Sequence, residues 1–219
     1  MGYIKFDKTQ LINLEYSLHR EILRSNRAGG FSNTTIINCN TRKYHGLLIV
    51  PQPQFGNAPH VLLSTLDETV IQREAEFNLG IHKYENNVYS PRGHKYVRDF
   101  DIKSVPLTIY RVGGVVLEKQ WLFSAHEDLV LLKYTLLEAH SPTRIRFKPF
   151  LAFRNIHALS KANIDANKKY EPVQNGIKVT LYNGYSPLYI QFSKKAEYTH
   201  VPDWYYNIEY THEKLRGYD

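Results

Sequence analysis

The feature that most constrains how this chain folds is a run of short apolar segments, separated by turn signals at intervals of about 8–12 residues. The clearest case is a pair of alternating segments, residues 107–112 and 115–123, on either side of Gly113 and Gly114. Two consecutive glycines favour the tight turn of a β-hairpin because both accept positive φ angles. In the second segment apolar residues recur at every other position, which predicts a strand with a buried face that includes Trp121.

The same alternation elsewhere gives roughly a dozen strand candidates and no convincing helix. So many strands are accommodated more readily in two packed sheets than in one open sheet. We therefore predict an all-β fold, a sandwich of two antiparallel sheets in which residues 1–219 form a single domain. Two segments fit less well. Residues 11–24 have apolar residues at helical spacing, so a helix is an alternative, but they contain poor helix formers and are assigned to strands. The polar residues 80–104 are assigned to a long loop.

The composition excludes several classes of protein. With 42% hydrophobic and 22% charged residues, the chain has the balance of a folded globular domain. It contains no apolar run of the roughly 18 residues that a membrane helix needs, and its first residues lack the apolar core of a signal peptide. The net charge of +7 is spread along the chain, so neither nucleic acid nor a membrane is predicted as a partner. Cys39 is the only cysteine, which excludes an internal disulfide and fits a cytoplasmic protein.

Neither a metal nor a cofactor is predicted. The ten histidines do not occur at the spacings of the common zinc motifs, and one cysteine cannot build a thiolate site. The sequence has no glycine-rich phosphate-binding loop and no G-x-S-x-G turn of a serine hydrolase. Its most unusual feature is the aromatic content, with 17 Tyr, 10 Phe and 2 Trp. Tyrosine in this quantity suits sheet surfaces and sugar-contacting faces alike.

Residues 38–50 change character halfway. Residues 40–45 read N-T-R-K-Y-H, a dense polar string, whereas residues 47–50 read L-L-I-V, like a strand buried on both faces. A polar string that runs directly into a buried strand is unfavourable unless its donors and acceptors find partners. Two interpretations remain open: a hydrogen-bonded corner of the fold, or a surface that faces a ligand.

Carboxylates and histidines offer two catalytic possibilities. Glycoside hydrolysis needs two carboxyl groups about 5–10 Å apart. Asp67 and Glu68 are adjacent and would point to opposite sides of a strand, whereas Asp99 and Asp101 would share a face. Sugar epimerisation would instead need a histidine base, for which three histidines at strand ends or in polar segments are available. These are His45, His94 and His157.

A sugar-contacting surface is the more economical hypothesis. Aromatic rings would lie against sugar C–H groups, while amide, guanidinium and imidazole groups would bond to hydroxyls. The residues predicted to contact a substrate are Asn40, Arg42, Tyr44, His45, Arg154, His157, Trp204 and Tyr205. Neighbouring residues of an extended chain point in opposite directions, so at least one ring among residues 204–206 is expected to be buried.

Four segments together resemble the N-terminal domain of bacterial and archaeal glycogen debranching enzymes. Residues 40–48, N-T-R-K-Y-H-G-L-L, resemble the family hallmark N-T-R-x-Y-H-G-L-L, and residues 62–68 resemble L-L-x-x-L-D-E. Residues 148–157 are similar to R-P-F-L-x-x-R-x-x-H, with Lys148 in place of the arginine. Residues 204–217 are similar to W-Y-x-x-x-x-Y-x-x-E-x-x-R-G. The segments also keep the order of the family along nearly the whole chain.

This resemblance implies a β-supersandwich of the galactose-mutarotase-like or glucoamylase N-domain-like type. It implies an amylo-α-1,6-glucosidase, an enzyme of glycogen catabolism that removes α-1,6 branch stubs from glycogen or a related α-glucan. The catalytic carboxylates of such enzymes belong to a C-terminal (α/α)-barrel. The present chain is therefore expected to be the non-catalytic N-terminal domain, with that barrel and an α-glucan as its partners. The alternative is a stand-alone α-glucan-binding module or a sugar-epimerase-like enzyme.

Overall fold

The computed structural model describes residues 3–218, which form sixteen strands, three short α-helices and three 3-10 helices. The strands are β1 (Ile4–Asp7), β2 (Glu21–Ser25), β3 (Phe31–Thr35), β4 (Gly46–Gln52), β5 (Ala58–Gln72), β6 (Ala75–Asn78), β7 (Ile81–Tyr84), β8 (Val88–Arg92), β9 (Val97–Ile102), β10 (Pro106–Val112), β11 (Val115–Phe123), β12 (Val130–Ala139), β13 (Thr143–Asn155), β14 (Tyr170–Val173), β15 (Gly176–Val179) and β16 (Leu188–Gln191). The α-helices are α1 (Lys8–Leu11), α2 (Leu14–Leu18) and α3 (Thr211–Lys214), and the 3-10 helices are Pro53–Phe55, Glu85–Asn87 and Gly93–Tyr96.

Two large antiparallel sheets form the body of the molecule. The first sheet has the strand order β1-β9-β10-β11-β12, and the second has the order β13-β5-β4-β3-β2, with β6 paired to one end of β5. Strands β14, β15 and β16 form a third sheet, and β7 pairs with β8. The predicted all-β, antiparallel sandwich is confirmed. Among residues 3–218, no helix is long and apolar enough to cross a membrane.

The main core lies between the first and second sheets. Tyr110, Leu117 and Trp121 from the first sheet share one buried cluster with Ile22 and Val70 from the second. Removing a large apolar side chain from water contributes about 1.5–3 kcal/mol, so this cluster holds the two sheets together. The predicted hairpin also forms, because Val112 pairs with Val115 across two glycines whose φ angles are 56° and 78°.

Strand β4 is buried on both faces, as its L-L-I-V sequence predicts. On one side Leu48 joins a cluster with Phe153 of β13 and Val179 of the third sheet. On the other side Ile49 packs in a small cluster with Ile156. The polar string before β4 therefore has to turn the chain at the edge of a completely covered strand.

Two regions differ from the sequence prediction. Residues 11–24 contain α2 as well as β2, and the poor helix former Asn13 acts as the helix cap by accepting a hydrogen bond from Tyr16 N. Residues 80–104 are not a loop, because they contain β7, β8 and β9. Four to six residues in each of these strands are too few for alternation to be recognised.

Strand β5 supports the functional site described below. Its alternation sends Glu68 toward the first sheet, where the carboxylate pairs with Lys119 Nζ at 2.6 Å and accepts a hydrogen bond from Tyr134. Asp67 points the other way, toward His82 of β7. The two adjacent carboxylates thus face different surroundings, as the sequence predicts.

Candidate functional site

The four motif segments (residues 40–48, 62–68, 148–157 and 204–217) meet at one place, which we call the motif junction. Three hydrogen bonds are enough to connect them all. Asn40 Nδ2 donates to Ser64 O at 3.2 Å, Arg154 Nη2 donates to Lys43 O at 2.7 Å, and Lys43 N donates to Glu213 Oε2 at 2.8 Å. Segments that are far apart in sequence are therefore joined through buried or half-buried polar contacts.

The turn before β4 is closed by His45, which is fully buried. Thr41 N donates to His45 Nδ1 at 3.1 Å, so the neutral ring carries its proton on Nε2. That nitrogen lies 3.3 Å from Glu21 Oε1 but outside hydrogen-bond geometry, and it has no hydrogen-bond partner among residues 3–218. Arg42 Nε donates to the same Glu21 oxygen at 2.6 Å.

The electrostatics of this turn keep its histidine neutral. Burial lowers the pKa of His45 to about 4, although the neighbouring Glu21 carboxylate opposes the shift. For Glu21, burial acts to raise the pKa, but hydrogen bonding to Arg42 and the nearby His45 and Arg42 charges outweigh it, so the pKa is lowered. At neutral pH an uncharged imidazole therefore lies beside a charged arginine–glutamate pair.

Among the predicted site residues at the turn, Asn40, Arg42 and His45 each make hydrogen bonds within the fold. Besides donating to Ser64, Asn40 accepts a hydrogen bond from Thr34 Oγ1 at 3.0 Å. Together with the bonds of Arg42 and His45, these contacts favour the hydrogen-bonded corner over the ligand-facing surface for this stretch of the chain.

A second group of predicted site residues lies around the end of β13. Tyr44 and His157 meet edge to face, with 3.2 Å between the Tyr44 hydroxyl and His157 Nδ1. Arg154 is buried, donates to Ala158 O at 2.9 Å, and places its guanidinium 5.8 Å from the centre of the Tyr210 ring. Of the three histidines considered as bases, only His157 is exposed. Burial lowers the pKa of His94 to about 4, as it does for His45.

A small notch of about 20 Å³ opens at the motif junction, and every motif segment contributes to it. The lining residues are Asn40, Ser64, Thr65, His82, Lys83, Phe150, Ile208 and Tyr210. A space of this size holds one water-sized group.

Of the residues that line the notch, the sequence prediction named only Asn40, and His82 is among those that it missed. Its Nε2 lies 3.0 and 2.9 Å from the two carboxylate oxygens of Asp67, and its ring stacks on Phe150 with 4.6 Å between centres. Gly80 makes the approach possible, because a Cβ there would lie 2.5 Å from the Asp67 carboxyl group. Asp67 belongs to a motif segment, but its partner comes from a segment without recognisable pattern, so sequence offered no signal for the pair.

The aromatic residues near the C-terminus are more exposed than predicted. Trp204 is half-buried, while Tyr205 and Tyr206 are 43% and 61% exposed, so the expectation that one of them is buried is wrong. This segment is not a strand of any of the sheets, and its only bridge to one joins Ile208 to Tyr84 within the described residues. Tyr205 packs on Phe150 with ring centres 4.3 Å apart.

A larger cleft lies elsewhere. It encloses about 280 Å³ and is lined by Lys8, Lys95, Tyr96, Val97, Arg98 and Arg111. All six residues come from other parts of the chain than the motif segments, and the four cations are exposed to solvent. We therefore place the candidate site at the motif junction, in spite of the smaller size of the notch.

Carboxylates at the motif junction are held by other side chains or backbone groups. Asp67 is bound to His82, Glu209 is paired with Lys83, and Glu213 accepts from a backbone N–H. No group of three or more His, Cys, Asp or Glu residues that could hold a metal ion occurs within residues 3–218.

Comparison with known proteins gives one match. Neither a search of curated proteins nor a search of solved structures found a significant match. The family model described as glycogen debranching enzyme N terminal matches residues 20–219, a range that includes all four motif segments. Since that range covers most of the chain, the chain belongs to the glycogen debranching enzyme N-terminal family.

Proposed function

We propose that this chain is the non-catalytic N-terminal domain of an amylo-α-1,6-glucosidase of glycogen catabolism in the cytoplasm. In this proposal residues 1–219 form one domain that supports an (α/α)-barrel catalytic domain. The domain also contributes to binding glycogen or a related α-glucan. Family membership supports the class of enzyme. The geometry of the motif junction supports a role in structure and binding for this domain, with catalysis in the barrel domain.

The observation that carries the non-catalytic role is the state of the carboxylates. Glycoside hydrolysis requires one carboxyl group free to protonate the leaving oxygen and a second free to act as base or nucleophile. At the motif junction Asp67 is bound through both oxygens to His82, and Glu209 is paired with Lys83. Glu68 faces the sandwich core and Lys119. Carboxylates held in this way are suited to maintaining structure.

The way in which the C-terminal segment is fixed supports the proposed supporting role. His212 N donates to Thr41 O at 3.1 Å, and Glu209 N donates to Lys83 O at 2.8 Å. Lys83 Nζ also donates to the Thr211 hydroxyl at 3.1 Å. A catalytic domain connected through this segment would be held against the corner in one orientation.

The experiment is a pair of assays on the purified chain. We expect the protein to sediment with glycogen but to release no glucose from it, with cellulose as the polysaccharide control. Release of glucose would overturn the non-catalytic role. Failure to sediment with glycogen would overturn the contribution to α-glucan binding.

A further inference from the structure

We infer that the notch at the motif junction binds one hydroxyl group of a glucosyl unit, while the sugar ring itself lies outside against Tyr205. This inference rests on the proposed α-glucan function and specifies where on the domain the sugar is held.

Thr65 and His82 each bring to the lining a polar atom that lacks a protein partner. Thr65 Oγ1 is buried and makes no hydrogen bond within residues 3–218. His82 uses Nε2 on Asp67, and in the same part of the chain nothing bonds to its Nδ1. Because buried polar atoms are nearly always hydrogen-bonded, the unpaired Thr65 hydroxyl, with an unbonded His82 nitrogen in the same lining, indicates a group that is supplied from outside.

Apart from Tyr210, whose hydroxyl makes no hydrogen bond within residues 3–218, the other polar side chains of the lining are already used. Asn40 accepts from Thr34 and donates to Ser64. Lys83 is paired with Glu209. These side chains form the wall of the notch, so a ligand would meet the free hydroxyl and the free imidazole nitrogen.

The chemistry of the two free atoms selects a neutral hydroxyl group. A hydroxyl both donates and accepts, so it can pair with the Thr65 hydroxyl and with His82 Nδ1 at the same time. The charged side chains in the lining are balanced, since His82 faces Asp67 and Lys83 faces Glu209. A phosphate or carboxylate would therefore find no unpaired cation there. The volume of about 20 Å³ admits one oxygen-sized group and excludes a whole sugar ring.

An exposed aromatic ring lies where the rest of the sugar would rest. The His82 ring stacks on Phe150, and Phe150 packs in turn on Tyr205, with ring centres 4.6 and 4.3 Å apart. Tyr205 is 43% exposed, and Lys148 Nζ donates to its hydroxyl at 2.8 Å, which fixes the ring. An oriented, partly exposed aromatic face beside a hydroxyl-sized notch is the combination that a glucosyl unit requires.

Thr65→Val in the full chain provides the test, with binding measured by calorimetry for maltohexaose and by co-sedimentation for glycogen. The substitution keeps the shape of the side chain and breaks no internal hydrogen bond, since Thr65 Oγ1 has none within the described residues. We expect about a fivefold weaker affinity for maltohexaose. The matched control is Thr41→Val, because Thr41 also has a buried hydroxyl without a partner in residues 3–218 but does not line the notch. Thr41→Val should bind like the wild type.

A second pair of variants tests the aromatic platform. Tyr205→Ala removes the exposed ring, and we expect a loss of affinity of about threefold to tenfold. Tyr206→Ala is the control, since Tyr206 is the adjacent and more exposed ring and lies outside the stack. Its affinity should stay within about twofold of the wild type.

The outcomes separate this inference from the proposed function. A wild-type chain that binds neither maltohexaose nor glycogen overturns α-glucan binding itself, and the notch with it. Wild-type affinity in both Thr65→Val and Tyr205→Ala, with binding by the wild type intact, overturns only the sugar site. The notch would then hold a water molecule. Equal losses in Thr65→Val and Thr41→Val would also overturn the inference, because they would indicate an effect on the fold.

Discussion

Two buried histidines beside carboxylates, His45 with Glu21 and His82 with Asp67, use their ring nitrogens differently. His45 accepts a backbone hydrogen bond at Nδ1 and turns Nε2 toward a carboxylate that Arg42 also holds. His82 places Nε2 between both oxygens of its own carboxylate, and its ring lines an open notch. The unbonded Nε2 of the first histidine is buried inside its turn, whereas the ring of the second lies at a cavity.

The difference shows that residue type and burial do not separate a structural histidine from a binding one. Both rings are almost inaccessible to solvent, and both face an acid. What separates them is where the ring nitrogen without a hydrogen bond lies: His45 Nε2 is buried beside Glu21, whereas the ring of His82 lines the notch. A histidine whose backbone-facing nitrogen closes a turn contributes to stability, and one with a free nitrogen at a cavity is available for a ligand.

The largest effect that we predict is the loss of stability when His45 is replaced. His45→Ala should lower the free energy of unfolding by about 4 kcal/mol, since it leaves the Thr41 N–H unpaired and creates a cavity. His45→Asn should recover part of this loss, because the Asn side-chain oxygen can replace Nδ1 as acceptor. Urea denaturation measures both. The exposed His157 provides the control, and His157→Ala should cost about 1 kcal/mol or less. A loss below about 1 kcal/mol in His45→Ala would contradict the closed turn.

The pH dependence of stability is the next largest effect. The pKa of His45 is about 4 in the folded state, against 6.5 for an ordinary histidine, so the unfolded chain binds more protons between these values. Stability is therefore fully present above pH 6.5 and falls as the pH drops toward 4, by roughly 3 kcal/mol for this group.

Urea denaturation at a series of pH values measures this loss. His45→Asn should flatten the curve between pH 6.5 and 4. Since His94 has a similarly low pKa, His94→Gln should remove a separate part of the slope. An unchanged slope in His45→Asn would show that the imidazole is not held neutral.

Removing the carboxylate beside His45 should have a smaller effect on stability. Arg42 and Glu21 form a partly exposed pair, with side chains 37% and 27% exposed, so Glu21→Gln should cost about 1 kcal/mol or less. The same change should lower the pKa of His45 further, because the Glu21 carboxylate opposes the downward shift. Titration of His45 by NMR measures the direction. Glu76→Gln, which removes the partner of Arg146, should leave the His45 pKa unchanged. A rise in the His45 pKa in Glu21→Gln would contradict this account.

The two histidines also differ in how far sequence could predict them. His45 lies in a dense polar string next to an apolar strand, so the need for a hydrogen-bonded corner could be read locally. His82 comes from β7, a strand of four residues, and its partner Asp67 is on β5. The side chains meet because of how the chain returns after β6, and strand pairing over that distance leaves no periodic signal.

Prediction of the fold has the same limit, because only long segments carry a pattern that can be recognised in the sequence. Long alternating strands such as β10 and β11, and the double-glycine turn between them, were predictable because each strand carries its own pattern. The helix α2 was missed because tertiary packing outweighs the propensities of five residues, and its own Ser17 is fully buried. Segments shorter than about two helical turns or five strand residues contain too few positions for a period to be detected.

The smallest predicted effect on stability concerns the Thr65 hydroxyl in the notch. It is also the measurement that best distinguishes the notch from the turn at His45. Thr65→Val and Thr41→Val each remove a buried hydroxyl that has no partner within the described residues, so both should change the free energy of unfolding by about 1 kcal/mol or less. If a fixed water occupies the notch as part of the folded structure, Thr65→Val should lose more stability than Thr41→Val, because the water would lose a hydrogen bond. Equal unfolding midpoints in urea, combined with weaker maltohexaose binding in Thr65→Val alone, would assign the Thr65 hydroxyl to the ligand. A destabilisation of more than about 2 kcal/mol in Thr65→Val would instead place it, like His45, among the groups that hold the fold together.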